Sequence, residues 1–327
     1  MSLDLPALPR LEVIREAQVL LAKYFPPTPL QKATSLSSAT AEVFLKIETE
    51  LPTASFKPRG AIYALTKNLE RRKVDEVTAS STGNHGAAVA FAGRTLGVPA
   101  TIFLPQNPNP VKRKNIEDLG ARIVCEGSID LAGACEIAME YARRPGVYFL
   151  NDATDPDLPA GAATIGLEIV ERLPNVSSVF VPMGDTALIR GIGAAVKHLS
   201  PSTRIIGVQA EKAPSYVLSW REGKPVPTES CNTCADGLAT RTPQAANVAA
   251  IREVVDDVML VSEEQMIDAV RQLFFRENVL AEPSGTAATA GFLAKPESGL
   301  VVLLVSGGNL TDEVRQRAGL PAGAPPK

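Results

Sequence analysis

Lys57 lies in the stretch TASFKPRGA, where the following Pro58 suits the first turn of a helix and biases Lys57 itself away from helical geometry. The amine is therefore expected at a helix N-terminus. There the partial positive charge of the helix, with shielding by Phe56, favours the neutral amine that condensation with a carbonyl requires. A Lys-Pro pair alone also describes a solvated surface lysine, so the neighbouring segments must decide. The strand-like run EVTAS passes through SSTGNHG into a helical pattern, which sets Ser81, Thr82, Gly83, Asn84 and His85 at a second helix start. Hydroxyls and backbone N–H groups at such a point hold an anion such as a carboxylate, and an Asn side chain can donate to a phenolate oxygen. A plain capped helix, with Ser or Asn as cap and no ligand, explains the same pattern. A third handover, SVFVPM into GDTALIRGIG, is placed to take a phosphate. Gly184, Gly191 and Gly193 lack the offsets of a dinucleotide fingerprint. The run LVVLLV ends in Ser306-Gly307-Gly308-Asn309, where a hydroxyl could meet a ring nitrogen or where the chain could simply turn. A phosphate-bearing cofactor joined to an amine would use all four places.

Other chemistries fare poorly. Two histidines, His85 and His198, are too few for a histidine metal cluster or a Ser-His-Asp triad. Cys231 and Cys234 form a lone CxxC without a second ligand pair, read as two thiols in a loop. The net charge of −3 arises from scattered acids and bases, which indicates no face for nucleic acid or anionic membrane. The start, MSLDLPALPR, lacks the basic and apolar parts of a secretory signal, and no apolar run approaches membrane-spanning length. Four cysteines in 327 residues do not make a disulfide framework, so a reducing cytoplasm is expected.

The elements that must position these residues follow an α/β rhythm. The runs EVTAS, ATIFL, ARIVC, VYFL, SVFVPM, RIIGVQ, DVMLV and LVVLLV are mostly continuous, as in parallel strands covered on both faces, and an exposed antiparallel sheet is disfavoured. Helical patterns fall at 11–23, 61–72, 86–96, 111–119, 131–143 and 263–275. The segment NDATDPDLP, 151–159, is the clearest break and is expected to be a domain crossing. The tail LPAGAPPK reads as frayed.

Taken together, these segments resemble the fold-type II pyridoxal-phosphate enzymes, the threonine/serine dehydratase and serine racemase group, over nearly the whole chain from Thr28 to Asn309. TASFKPRGA is similar to TGSFKxRGA, whose lysine carries the cofactor as a Schiff base, and SSTGNHG to the SxGNH carboxylate loop. CADGLA, EPSG and SGGN resemble the family's ADGLA, E-P-x-G and closing motifs. The resemblance implies two domains built on open, twisted, mostly parallel sheets flanked by helices. Residues 1–50 and 156–327 would form the large cofactor-binding domain and 51–155 the small substrate-binding one.

For the site, the resemblance implies that pyridoxal 5′-phosphate is held by Phe56, Lys57, Asn84, Gly184, Asp185, Thr186, Ala187, Leu188, Gly237, Glu282 and Ser306. Ser81, Thr82, Gly83, Asn84 and His85 would bind a small amino-acid substrate, and Lys57, Ser81 and Thr82 would act in catalysis. The neutral Ser306 would not hold the ring nitrogen strongly protonated, which favours prompt elimination. The implied reaction is dehydration and deamination of a small hydroxy-amino acid, such as threonine or serine, to a 2-oxo acid and ammonia. Racemisation through the Thr82 hydroxyl, β-replacement or threonine-synthase-like chemistry, and non-catalytic cofactor binding are the alternatives.

Departures from the family pattern matter for the reaction. GDTAL replaces the usual GGGGL, so Asp185 is expected to point away from a phosphate dianion. AGAAT, 160–164, replaces AGQGT. Gln209, Ala213 and Ser215 stand where metal-activated relatives carry acids, so no divalent metal is expected. The chain carries no further C-terminal segment for an amino-acid regulatory module, so no feedback by a distal amino acid is expected, and a homodimer is.

Overall fold

The structure is a computed structural model that describes residues 8–106, 108, 110–125, 127 and 131–323, with the side chains of 110–112 outside the description. The first residues of MSLDLPALPR and the last four of LPAGAPPK lie outside the described residues, so the expectations of a signal-free start and a frayed tail are in part beyond it. In chain order the elements begin with α1 (Leu11–Leu21), β1 (Leu30–Lys32), β2 (Ala41–Ile47) and α2 (Lys57–Arg71). There follow β3 (Glu76–Ser80), α3 (Asn84–Leu96), β4 (Ala100–Phe103), α4 (Pro110–Asp118), β5 (Arg122–Val124), α5 (Leu131–Tyr141) and β6 (Val147–Phe149). After the 151–157 crossing come α6 (Leu158–Arg172), β7 (Ser178–Pro182), α7 (Ala187–Leu199), β8 (Arg204–Ala210), α8 (Ser215–Glu222) and α9 (Ala245–Val254). The chain closes with β9 (Asp257–Val261), α10 (Glu263–Glu277), α11 (Pro283–Ala294), β10 (Gly299–Val305) and α12 (Asp312–Arg317).

Two sheets result. One has four parallel strands in the order β5-β4-β3-β6, and the other six in the order β1-β2-β10-β7-β8-β9. The continuous apolar runs are the strands buried on both faces: every residue of β7 is buried, as are the last five of β10. Side chains of α10 and α11 cover one face of the larger sheet, and those of α6, α7, α8 and α9 cover the other. On the smaller sheet α2 and α3 pack against one face and α5 against the other. Each buried Val, Leu or Ile in these layers contributes about 1.5–3 kcal/mol relative to exposure, which is what fixes strand ends, and therefore the loops, in place.

One expectation is corrected at the sheet edge. β1 pairs antiparallel with β2, Leu30 opposite Lys46, while β2 runs parallel to β10. Lys46 on β2 breaks the apolar pattern of AEVFLKI yet is buried in an ion cluster. There Lys46 Nζ pairs with Glu168 and stands 3.7 Å from Glu48, and Arg59 binds both acids, Nε to Glu48 at 2.7 Å and Nη1 to Glu168 at 2.6 Å. The cluster fastens α2 to β2 and α6. Among the described residues no helix is long and apolar enough to cross a membrane.

Candidate active site

The first helical residue of α2 is Lys57, with Phe56 as its N-cap and Pro58 in its first turn. Its position is set by the far end of the chain. Phe56 N–H donates to Ser306 O at 3.0 Å, Ser55 bridges Gly307, Gly308 N–H donates to Ala54 O at 2.8 Å, and Asn309 Nδ2 donates to Thr53 O at 2.9 Å. The turn after β10 thus holds the turn before α2. An added Cβ at Gly285 would collide with the Gly307 carbonyl, so α11 can meet this turn only through a glycine.

Helix α3 starts at Asn84 with Gly83 as N-cap and no side-chain cap. Its first internal bond runs from Ala87 N–H to Gly83 O, leaving the amides of Asn84, His85 and Gly86 without a helix carbonyl to pair with. Of the two sequence explanations for SSTGNHG, the capped helix is therefore set aside. Ser81 Oγ accepts from Gly83 N–H at 3.2 Å. Asn84 is more committed than the sequence implied: Nδ2 donates to Glu282 Oε1 at 2.6 Å and Oδ1 accepts from Asn309 Nδ2 at 2.7 Å.

Helix α7 repeats the arrangement. Its N-cap, Thr186, has φ +73°, and Arg190 N–H to Thr186 O at 2.9 Å is the first internal bond, so the amides of Ala187 and Leu188 point out of the helix end. Gly184 must lack a side chain because a Cβ would collide with the carbonyl of Gly237, whose own N–H is held by Ser284 Oγ at 2.9 Å. Asp185 accepts from Thr240 Oγ1 at 3.1 Å and still borders the cavity. Burial, with the charge of Asp152 nearby, pushes its carboxyl up to about 6 against the opposing pull of Lys57, Thr240 and Arg190.

The three helix starts and the turn after β10 meet at one cavity of about 480 Å³, open to solvent, between the two sheets. Phe56, Lys57, Ser81 to His85, Gly184 to Leu188, Gly237, Glu282 and Ser306 border it together.

The structure adds residues that the sequence did not single out. Asp152, in the 151–157 crossing, forms an ion pair with Lys57 Nζ and stands 3.6 Å from His85 Nδ1. Burial alone would raise its carboxyl, but Lys57 and His85 outweigh that and hold it below the usual carboxylate range. The sequence pattern places no charged partner beside Lys57, and the structure sets the half-buried carboxylate of Asp152 there. His85 is held the other way, its imidazolium disfavoured by burial and by Lys57 against the pull of Asp152, with Nε2 2.9 Å from Leu150 O. Asn247 ties the crossing to the α7 loop, donating to Ala153 O at 2.9 Å and Asp185 O at 3.3 Å. Away from the cavity, Gln209 Oε1 accepts from Val217 N–H and Ser215 Oγ donates to Thr240 O. Cys231 and Cys234 are half-buried free thiols.

A lysine at one helix start, two further helix starts with free amides, and two parallel-rich sheets flanking them define an α/β enzyme of fold type II, built to hold a phosphorylated aldehyde cofactor. The chain belongs to the family described as pyridoxal-phosphate dependent enzyme, whose model matches residues 21–307. It is 37% identical to an L-threonine ammonia-lyase of Thermotoga maritima over 303 residues, 92% of this chain and 75% of the relative. It is 33% identical to a catabolic L-threonine dehydratase of Staphylococcus aureus, covering 91% of this chain and 88% of that one. Among solved structures it superposes on maize serine racemase with a TM-score of 0.88 at 28% identity, covering 95% and 97% of the two chains. On the threonine deaminase of T.th. the TM-score is 0.86 at 32% identity, covering 93% and 99%.

The residues present suit pyridoxal phosphate. A primary amine borders the cavity, the Phe56 ring lies 5.1 Å from it, and the unpaired amides of α7 with the buried Arg190 behind them form an anion-binding donor set. Asp185 is the one discordant member.

Proposed function

We propose that this protein catalyses β-elimination on a small hydroxy-amino acid such as threonine or serine, releasing a 2-oxo acid and ammonia. The observation that carries the reading is the meeting of Lys57, the uncapped start of α3 and the uncapped start of α7 around one cavity. In this reading Phe56, Lys57, Asn84, Gly184 to Leu188, Gly237, Glu282 and Ser306 hold the cofactor. Bound there, pyridoxal phosphate supplies an electron sink for the pair left on the substrate α-carbon.

The protein's own groups do the rest. The amides of α3, with the hydroxyls of Ser81 and Thr82, hold the substrate carboxylate, and the neutral His85 imidazole adds no competing charge. Lys57 takes the α-proton, and Asp152 holds the ammonium that this creates. The β-hydroxyl departs as water, with the proton that Lys57 took, as the α,β double bond forms, and a second water then converts the released enamine to oxo acid and ammonia. The names of the curated relatives, threonine ammonia-lyase and threonine dehydratase, support the substrate class.

Residues 1–50 and 156–327 act as the large cofactor-binding domain and 51–155 as the small substrate-binding one in this reading, which the division into two sheets supports. A homodimer in the cytoplasm completes the proposal. Purified protein incubated with L-threonine and L-serine should yield oxo acid, and borohydride trapping should place the cofactor mass on the Lys57 peptide. No oxo acid from either amino acid, or from their β-substituted analogues, defeats the reading. A second reading, racemisation, is favoured by the Thr82 hydroxyl at the cavity wall and by the superposition on a serine racemase. Chiral analysis of the recovered substrate separates the two.

A further inference from the structure

Arg190 is 2% exposed, yet among the described residues no carboxylate stands within ion-pairing distance of it. Its contacts are neutral: Nε donates to Thr186 Oγ1 at 3.2 Å and Nη2 reaches Ala153 O at 3.5 Å. Buried charges are ordinarily paired, because an uncompensated one forfeits its hydration. Burial here pulls the guanidinium down to about 10, against the weaker pull of Tyr216, Asp152 and Asp185 in the other direction. Among the described residues no carboxylate forms an ion pair with this cation, so its charge stays open to an arriving anion.

Geometry says where. Helical side chains lean toward the N-terminus of their helix, and Arg190, four residues after the N-cap of α7, leans onto Thr186 at the helix start. Its full charge therefore adds to the partial charge of the helix end and to the outward amides of Ala187 and Leu188. One residue before the N-cap, Asp185 brings the opposite charge into a loop that glycine fills in the resembling family. The acid and the base offset one another across a single helix start.

We propose that Arg190 is a phosphate-selecting positioning residue: through Thr186 and its own buried charge it offsets Asp185, giving the α7 loop its affinity for a phosphorylated cofactor. This inference rests on the cofactor reading above. It differs from that reading in assigning the phosphate interaction partly to a side chain instead of to backbone amides alone.

The test compares two aldehydes that differ only in the phosphate. Full-length protein stripped of cofactor is titrated with pyridoxal 5′-phosphate and with pyridoxal, following absorbance. Arg190→Gln should weaken the phosphate ester by roughly 10- to 100-fold, the range for a lost charge-assisted contact, and leave pyridoxal within about twofold. Arg190→Lys should recover most of the loss. Asp185→Asn should tighten the phosphate ester selectively, and the double variant Asp185→Asn with Arg190→Gln should return toward the wild-type ratio of affinities. Equal loss of both aldehydes, or an unchanged ratio in every variant, overturns the proposal and makes Arg190 a packing residue. Should Arg190→Gln fail to fold, the ratio in Asp185→Asn decides alone. Wild-type protein that captures neither aldehyde overturns the cofactor reading together with this one, whereas capture of both with insensitive ratios overturns only this one.

Discussion

Lys57 and Asp152 show what a residue gains from its surroundings. The pair is 95 positions apart in sequence, and the acid sits in a segment that reads only as a break between domains. A lone carboxylate in a loop carries no periodicity and no spacing, so its partner is visible only once both sheets are assembled. Lys57 itself was legible because Pro58 and the Gly-rich segments downstream each mark a helix start. Arg190 was hidden for a related reason: a single charge in ALIRGIGAAV reads as a solvent face, whereas in the structure the whole stretch is buried. Replacing Asp152 by Asn should lower kcat/KM for threonine by about 10- to 100-fold, with partial recovery in Asp152→Glu; wild-type kinetics would remove the acid from the site. Asp185 gives a stability prediction with a defined sign. Its carboxyl is raised to about 6 when folded, so the folded state binds the proton more tightly than the unfolded chain, and stability falls as pH rises from about 4 to about 6. Asp185→Asn should therefore stabilise the cofactor-free protein by about 1–3 kcal/mol above pH 7 and by close to nothing near pH 4, as read by urea unfolding at the two pH values.

At the scale of the element, the buried strands and their helices follow directly from continuous apolar runs, and the ends of α2, α3 and α10 fall within a few residues of their patterns. Among the strands, β1 and β2 escaped, β2 because Glu42 and Lys46 interrupt its apolar face. The interruption is itself structural. Lys46 and Arg59 neutralise Glu48 and Glu168; burial alone would raise the Glu48 carboxyl, but Arg59 and Lys46 hold it below its usual range. Arg59 is raised in turn, its two acids outweighing burial. Arg59→Met leaves Lys46 as the one cation against the buried Glu48 and the partly buried Glu168, so unfolding free energy should drop by about 3–5 kcal/mol. The comparison that isolates the cause is Arg59→Met with Glu48→Gln, which should recover part of the loss. If the double variant is no more stable than the single one, the cluster acts through packing and not through charge.

For the molecule as a whole, the cavity lies between two separately wound sheets, so occupancy links them. Cofactor at 100 times its dissociation constant should add about 2.7 kcal/mol to stability, seen as a rise in Tm that Lys57→Ala largely abolishes. A Tm indifferent to cofactor would mean that the cavity is not the binding place. The larger sheet has one further property. β10 lies between β2 and β7, and its closing turn grips the residues before Lys57. A central strand of that sheet is thus the last of the described strands that the ribosome makes. During translation β2 waits with an open flank for a neighbour about 250 codons away, and the lysine pocket has no back wall until Gly308 has left the exit tunnel. Nascent chains arrested before residue 299 should be unable to capture the vitamin, however long they are held, and would be the forms most in need of a chaperone.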